Sequence, residues 1–203
     1  MIPFYKSNKN VKQYFTRMLQ SKDDIVKMNT AVLLLRNGKE VPDSILLLLA
    51  ADERQRGTLY YKLEKVNRLD KFPAKYRNQL AIARSYMIRE SEEIKMDSVV
   101  FLKKMNASIK SKSGVVYFFK YRVKKTDDWK IGFSGLQPFK ESEVSSNDEL
   151  SYLTDKKFIA NEPMDDQLNL QLRKVVFGYF NSSSNFYRNT RDYYNYGEGV
   201  DYN

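Results

Sequence analysis

Through the first half of the chain apolar positions recur every three or four places. Val11, Tyr14, Phe15, Met18 and Leu19 share one helix face, and Ile25, Met28, Val32 and Leu35 share a face of the next helix. Leu59, Leu63 and Val66 continue the spacing, followed by Tyr76, Leu80, Ala83 and Met87. Between them lies Ile45-Leu46-Leu47-Leu48-Leu49, apolar on every side, which predicts the most enclosed helix of the set.

The punctuation of these helices repeats. Ser21 is the expected N-cap, with Asp24 placed to reach back as in a capping box. Asn37-Gly38 supplies the positive-φ stop. Val41-Pro42-Asp43 then starts a second helix with Pro at its first position, where the missing N–H costs nothing. Shifted by 31 residues, Asp52 falls under Ser21, and Phe72-Pro73 falls under Val41-Pro42. The same step places Val11 under Pro42, so the first helix takes the second slot of an earlier unit. Residues 1–92 therefore read as half a helical repeat followed by two whole ones: HEAT-like antiparallel pairs, about five helices. An irregular bundle in which the match is accidental is the alternative. Stacked repeats gain stability from about three units, so either the following β segment caps the array or further helical sequence precedes it. Gly57 costs about 1 kcal/mol against Ala and weakens the expected first turn of the Asp52 helix.

Beyond a charged connector at 91–95 the period becomes two. Ser98-Val99-Val100-Phe101-Leu102 is a short β-type run, and residues 106–114 read as a Ser/Lys-rich loop. Val115, Tyr117, Phe119, Tyr121 and Val123 alternate with Val116, Phe118, Lys120, Arg122 and Lys124, a strand with one buried and one partly wet face. Lys125-Thr126-Asp127-Asp128 is the turn, and Trp129, Ile131 and Phe133 lie on the return strand of the hairpin. Two strands alone are marginal, so the Ser98 run is expected to pair as a third and the sheet to lean on helices. Residues 141–149 read as a polar loop, with a short strand or turn near Phe158-Ile159. Pro163-Met164-Asp165-Asp166 opens a last helix, its acids in the turn where the dipole favours them. The expected fold is α+β: helical pairs, then over 93–180 a small antiparallel sheet of about three strands with a closing C-terminal helix packed on the repeats. Residues 181–203, rich in Asn, Ser and Tyr, have little to bury and read as a disordered tail.

Composition narrows the chemistry. The 203 residues include neither Cys nor His, which removes disulfides, thiolate chemistry and the commonest general base and metal ligand. The longest apolar run, 45–51, is too short to span a bilayer. The first residues lack the basic-then-apolar plan of a secretion signal. The net charge of +10 is uneven. Residues 1–96 carry 19 Lys/Arg against 11 Asp/Glu, residues 97–140 carry 10 against 3, and residues 141–203 carry 6 against 11. The basic middle and the acidic end can attract each other within the fold, which weakens the case for a nucleic-acid partner.

Asp127-Asp128 reads as a pair of turn formers rather than a metal or acid/base site. Gly132-Phe133-Ser134-Gly135 lacks the nucleophile-elbow spacing, and there is no His to activate Ser134. No Gly-rich phosphate loop occurs. No catalytic residue, metal ligand or cofactor is assigned. The hairpin nevertheless gathers Tyr117 and Trp129 with Lys120, Arg122, Lys124 and Lys130, the candidate binding residues for a protein partner. The same set has the ingredients of a stacking platform for single-stranded nucleic acid. The favoured reading of this alternation is structural: Tyr117, Phe119 and Tyr121 bury against helices while Lys and Arg solubilise the outer face.

Thr30-Ala31-Val32-Leu33-Leu34-Leu35-Arg36-Asn37-Gly38-Lys39-Glu40-Val41-Pro42-Asp43-Ser44 resembles the helical repeats near the C-terminus of long bacterial proteins of the TraB/GumN type. Phe72-Pro73-Ala74-Lys75-Tyr76, the Gly114-Val115-Val116-Tyr117-Phe118-Phe119-Lys120-Tyr121 strand and Trp129-Lys130 extend the resemblance over about residues 10–180. In that family the hydrolase-like domain is a separate N-terminal part carrying His and Glu, and this chain has no His. The resemblance therefore implies the non-catalytic C-terminal region of a larger, exported bacterial protein, truncated within its first repeat. The expected role is a protein-interaction or scaffold module rather than an enzyme, with nucleic-acid binding as the alternative.

Overall fold

The computed structural model describes residues 8–91, 95–109, 111–146 and 150–181. Five α-helices come first: α1 (Lys9–Leu19), α2 (Asp24–Arg36), α3 (Asp43–Ala51), α4 (Glu53–Lys65) and α5 (Gln79–Arg89). Strands β1 (Ser98–Ile109), β2 (Lys112–Arg122), β3 (Lys130–Gln137) and β4 (Leu150–Lys157) follow, then α6 (Met164–Asn181). The strands form one antiparallel sheet in the order β1-β2-β3-β4. The α+β class and the order of helices, sheet and C-terminal helix match the expectation. The sheet has four strands rather than about three, because β4 ends in the exposed run Asp155-Lys156-Lys157, which hides its alternation. The chain divides into two compact units between Phe158 and Ile159. No described helix is long and apolar enough to cross a membrane. Residues 182–203 of the expected tail lie outside the described residues.

The punctuation expected to repeat does recur between α2 and α4, with a different step. The N-cap of α2 is Asp23, whose Oδ1 accepts from the Ile25 and Val26 amides at 2.8 and 3.3 Å, while Ser21 Oγ accepts from the Asp23 amide at 3.1 Å. Asp52, 29 positions on, caps α4 by accepting from the Arg54 amide at 2.8 Å. Both helices run 13 residues. Each ends in a Schellman turn: Lys39 N–H donates to Leu34 O at 2.9 Å around Gly38 at φ 66°, and Arg68 N–H donates to Leu63 O at 2.8 Å around Asn67 at φ 54°. A 3-10 turn, Leu69–Lys71, then intervenes, so the buried Val41 and Phe72 stand 31 apart. The second halves diverge. α3 starts directly after Pro42, whereas Pro73 leads into another 3-10 turn, Ala74–Tyr76, and α5 waits for its own N-cap, Asn78.

α4 packs between α3 and α5, and α1 packs on α2. Leu34, Leu35, Leu46, Leu49, Leu59 and Leu63 form the centre of the helical core. Gly57 lets α4 and α5 touch: its N–H donates to Ser85 Oγ at 2.7 Å, and a Cβ there would lie 2.5 Å from Tyr86 Cε1. Arg56 closes the end of α3. Its Nε and Nη2 donate to the Ala50 and Ala51 carbonyls at 2.8 and 3.2 Å, and its guanidinium lies 4.6 Å from the centre of the Tyr76 ring. This satisfies two carbonyls that a helix C-terminus leaves free. Burial lowers the Arg56 pKa.

α3 is not the most enclosed helix. Leu46 and Leu49 are buried, but Leu47 is 48 % and Leu48 55 % exposed. The helix meets α4 closely and α2 only lightly, so successive leucines, about 100° apart around the axis, split between core and solvent.

The sheet extends further than its sequence suggests. β1 stays paired with β2 out to Ile109↔Lys112, past a bulge between Phe101 and Lys103, so most of the expected Ser/Lys loop is ladder. Val115, Tyr117 and Phe119 pack with Ala83, Met87 and Ile88 of α5, as the alternation predicts. The other face is wet only towards the ends of the strand. Val116, Phe118, Ile131 and Phe133 are fully buried, whereas Lys112 at the start of β2 is exposed and Lys120 and Arg122 at its end are partly so.

Candidate functional site

The end of the β2–β3 hairpin brings together three of the expected binding residues. Lys120 and Arg122 lie two residues apart on β2, so they share a face of the sheet. Trp129, entering β3, lies beneath both: Lys120 Nζ is 4.8 Å and Arg122 Cζ 4.7 Å from its ring centre. Lys120 Nζ also lies 5.4 Å from the Phe158 ring. Arg122 Nε donates to Asp97 Oδ2 at 2.9 Å. The Ser98 hydroxyl, with Arg122 beside it, holds the Asp97 carboxyl below its usual range.

The other three candidates sit elsewhere. Lys124 is at the exposed rim, where its amide donates to Asp127 Oδ2 at 2.9 Å, so Asp127 forms the turn as expected. Lys130 is paired in register with Tyr121, hence on the opposite face from Lys120, and bonds Asp155 Oδ1 at 3.1 Å. Tyr117 is 5 % exposed on the α5-facing side, with its hydroxyl donating to Gln79 Oε1 at 2.8 Å. A shallow groove between Arg122, Val123, Thr126, Asp127, Asp128 and Lys130 lines the turn.

Much of this basic end is neutralised internally. Arg122–Asp97, Lys130–Asp155 and Lys157–Asp128 pair at 2.9, 3.1 and 3.0 Å, and Lys104 of β1 pairs with Glu141. Glu141 and Asp155 belong to the acidic end of the chain, the attraction its charge distribution predicts. Cations also occupy the Trp129 ring where a base would stack.

A second polar cluster was not legible in the sequence. Gln79, 4 % exposed, donates through Nε2 to the carbonyls of Pro138, Lys140 and Glu143 at 2.8, 3.0 and 2.7 Å. Tyr60 and Tyr86 donate to the Val144 and Ser146 carbonyls at 3.2 and 2.7 Å, and the Gln137 amide bonds Ser145 through both its polar atoms. Residues 138–146 are thus a strap held to α4, α5 and β3 by side chains. Its donors are spent on backbone carbonyls, which is structural work. Among the described residues, no three His, Cys, Asp or Glu side chains gather to hold a metal.

The outer side of α3 was also missed. Ser44, Leu47, Leu48 and Ala51, at i, i+3, i+4 and i+7, are all exposed. Residues 40–53 contain Glu40, Asp43, Asp52 and Glu53 and no Lys or Arg. Glu40 lies 3.6 Å from Lys71, and Glu53 2.7 Å from Arg84. The small Ser44 and Ala51 flanking the leucines were the available signal. Compared with family models, curated proteins and solved structures, the chain matches none.

Proposed function

We propose that this chain is a non-catalytic protein-interaction module that engages its partner through the outer face of α3. The observation that carries this reading is the adjacent pair Leu47 and Leu48, about half exposed in the middle of a helix whose opposite side is core. Fully burying an exposed leucine contributes about 1.5–3 kcal/mol, and as each of these is already half covered, sealing the pair would supply about that much in total. Stacked helices offer such surface without a chemical centre. The resemblance to the C-terminal region of long TraB/GumN-type proteins supports the same role, as the non-catalytic part of a larger bacterial protein. The test compares immobilised wild-type chain with a Leu47→Ser/Leu48→Ser variant of unchanged circular dichroism, both exposed to an extract of the native host. A partner retained by the wild type and lost by the variant is expected. Identical retained sets would overturn the reading.

A further inference from the structure

We infer that the partner surface fitting α3 is a basic amphipathic helix, an inference that rests on α3 being the docking face. The apolar stripe Ser44, Leu47, Leu48 and Ala51 has helical spacing, so its natural complement is another helix laid along it. Charge selects which kind. Residues 40–53 hold four carboxylates and no Lys or Arg; Glu40 and Glu53 are met by Lys71 and Arg84, which leaves Asp43 and Asp52 to set the charge along the stripe.

Asp43 and Asp52 bracket the stripe. Both are exposed and neither forms an ion pair among the described residues; Asp43 carries the stronger claim, because Asp52 Oδ1 also caps α4 through the Arg54 amide and feels the charge of Arg56. The nine residues of α3 span about 13 Å, two and a half turns. A docked helix with leucines facing Leu47 and Leu48 and a Lys or Arg at each end would meet both carboxylates. An acidic helix would meet like charge there, and opposed charges are the usual basis of partner choice at such rims. The acidic residues 141–203 also attract a cationic peptide, so binding is assigned to this face by its loss in the double serine variant.

The probe is a fluorescein-labelled fourteen-residue model peptide with leucines at helical spacing and lysines at all other positions. Its counterpart carries glutamates in place of the lysines. Anisotropy titrations at about 50 and 500 mM salt, two screening regimes, use the wild-type chain, Asp43→Asn and Leu47→Ser/Leu48→Ser. The lysine peptide is expected to bind at least about tenfold tighter than the glutamate peptide at low salt, with the gap narrowing at high salt. Asp43→Asn should weaken it several-fold, and the double serine variant should abolish binding. Equal binding of both peptides that is still lost in the double serine variant overturns the basic partner while leaving α3 as the docking face. Lysine-peptide binding indifferent to Leu47 and Leu48, or no binding at all, overturns the inference. Concentration-dependent self-association of the wild type, lost in the double serine variant, would make the occupant a second copy and also overturn it.

Discussion

Gln79→Leu tests whether the strap is held by one buried side chain. The substitution keeps volume and helix propensity but removes the amide that bridges three strap carbonyls and accepts from Tyr117. The Tyr117 hydroxyl is buried, so losing its acceptor costs about 1–2 kcal/mol. The strap carbonyls lie near solvent and recover part of their bonding from water, leaving about 0.5 kcal/mol each. The sum is about 3 kcal/mol. For a chain of this size that lowers the melting temperature by roughly 6–12 °C. Urea unfolding followed by circular dichroism and Trp129 fluorescence measures the loss, and hydrogen exchange of residues 140–146 should accelerate. Tyr117→Phe alone should cost about 1 kcal/mol, and little more when added to Gln79→Leu, because both remove the same bond. A loss below about 1 kcal/mol with strap exchange unchanged would refute the reasoning.

Arg56→Met should destabilise by about 2–4 kcal/mol, since the end carbonyls of α3 lose their donors; a loss within about 0.5 kcal/mol in urea melts contradicts this. Gly57→Ala gains about 1 kcal/mol of helix propensity, yet should be net destabilising by calorimetry, because its Cβ meets the Tyr86 ring. Burial pushes the Tyr121 phenol, which donates to Thr154 O at 2.9 Å, up to about 12. A raised folded pKa favours the neutral form, so its stabilisation is complete below pH 10 and drains away as pH rises towards 12. Tyr121→Phe should therefore show a shallower stability loss over that window, measured by urea midpoints. Labelled single-stranded DNA and RNA should show no salt-sensitive binding to the hairpin end, and Lys120→Glu/Arg122→Glu should change nothing in that titration.

The helices and the hairpin were legible because period and punctuation agree. Asp52, Gly38 and the alternation from Val115 to Tyr121 each carry local chemistry that needs no tertiary context. Ser21 misled because Asp23, two residues on, is as good a cap: its Oδ1 takes the Ile25 and Val26 amides while Ser21 Oγ takes that of Asp23. The leucine run of α3 misled because apolar content reports average burial, and only packing partners decide which leucines face out. Gln79 was illegible for a different reason. Its acceptors lie about sixty residues away, in a stretch whose sequence reads as an ordinary polar loop. Of the candidate binding residues, the structure brings Lys120, Arg122 and Trp129 together, through the alternation of β2 and the turn. Tyr117 was separated from them by the same alternation, which put it on the α5 side.

NMR of the chain labelled at its leucine methyls and with 15N at the Trp129 indole, during titration with the lysine peptide, addresses the docking face itself. The account predicts that the Leu47 and Leu48 methyl signals shift most, the buried Leu46 and Leu49 less, and the Trp129 indole not at all. Shifts centred on Trp129, with Leu47 and Leu48 unmoved, would contradict it.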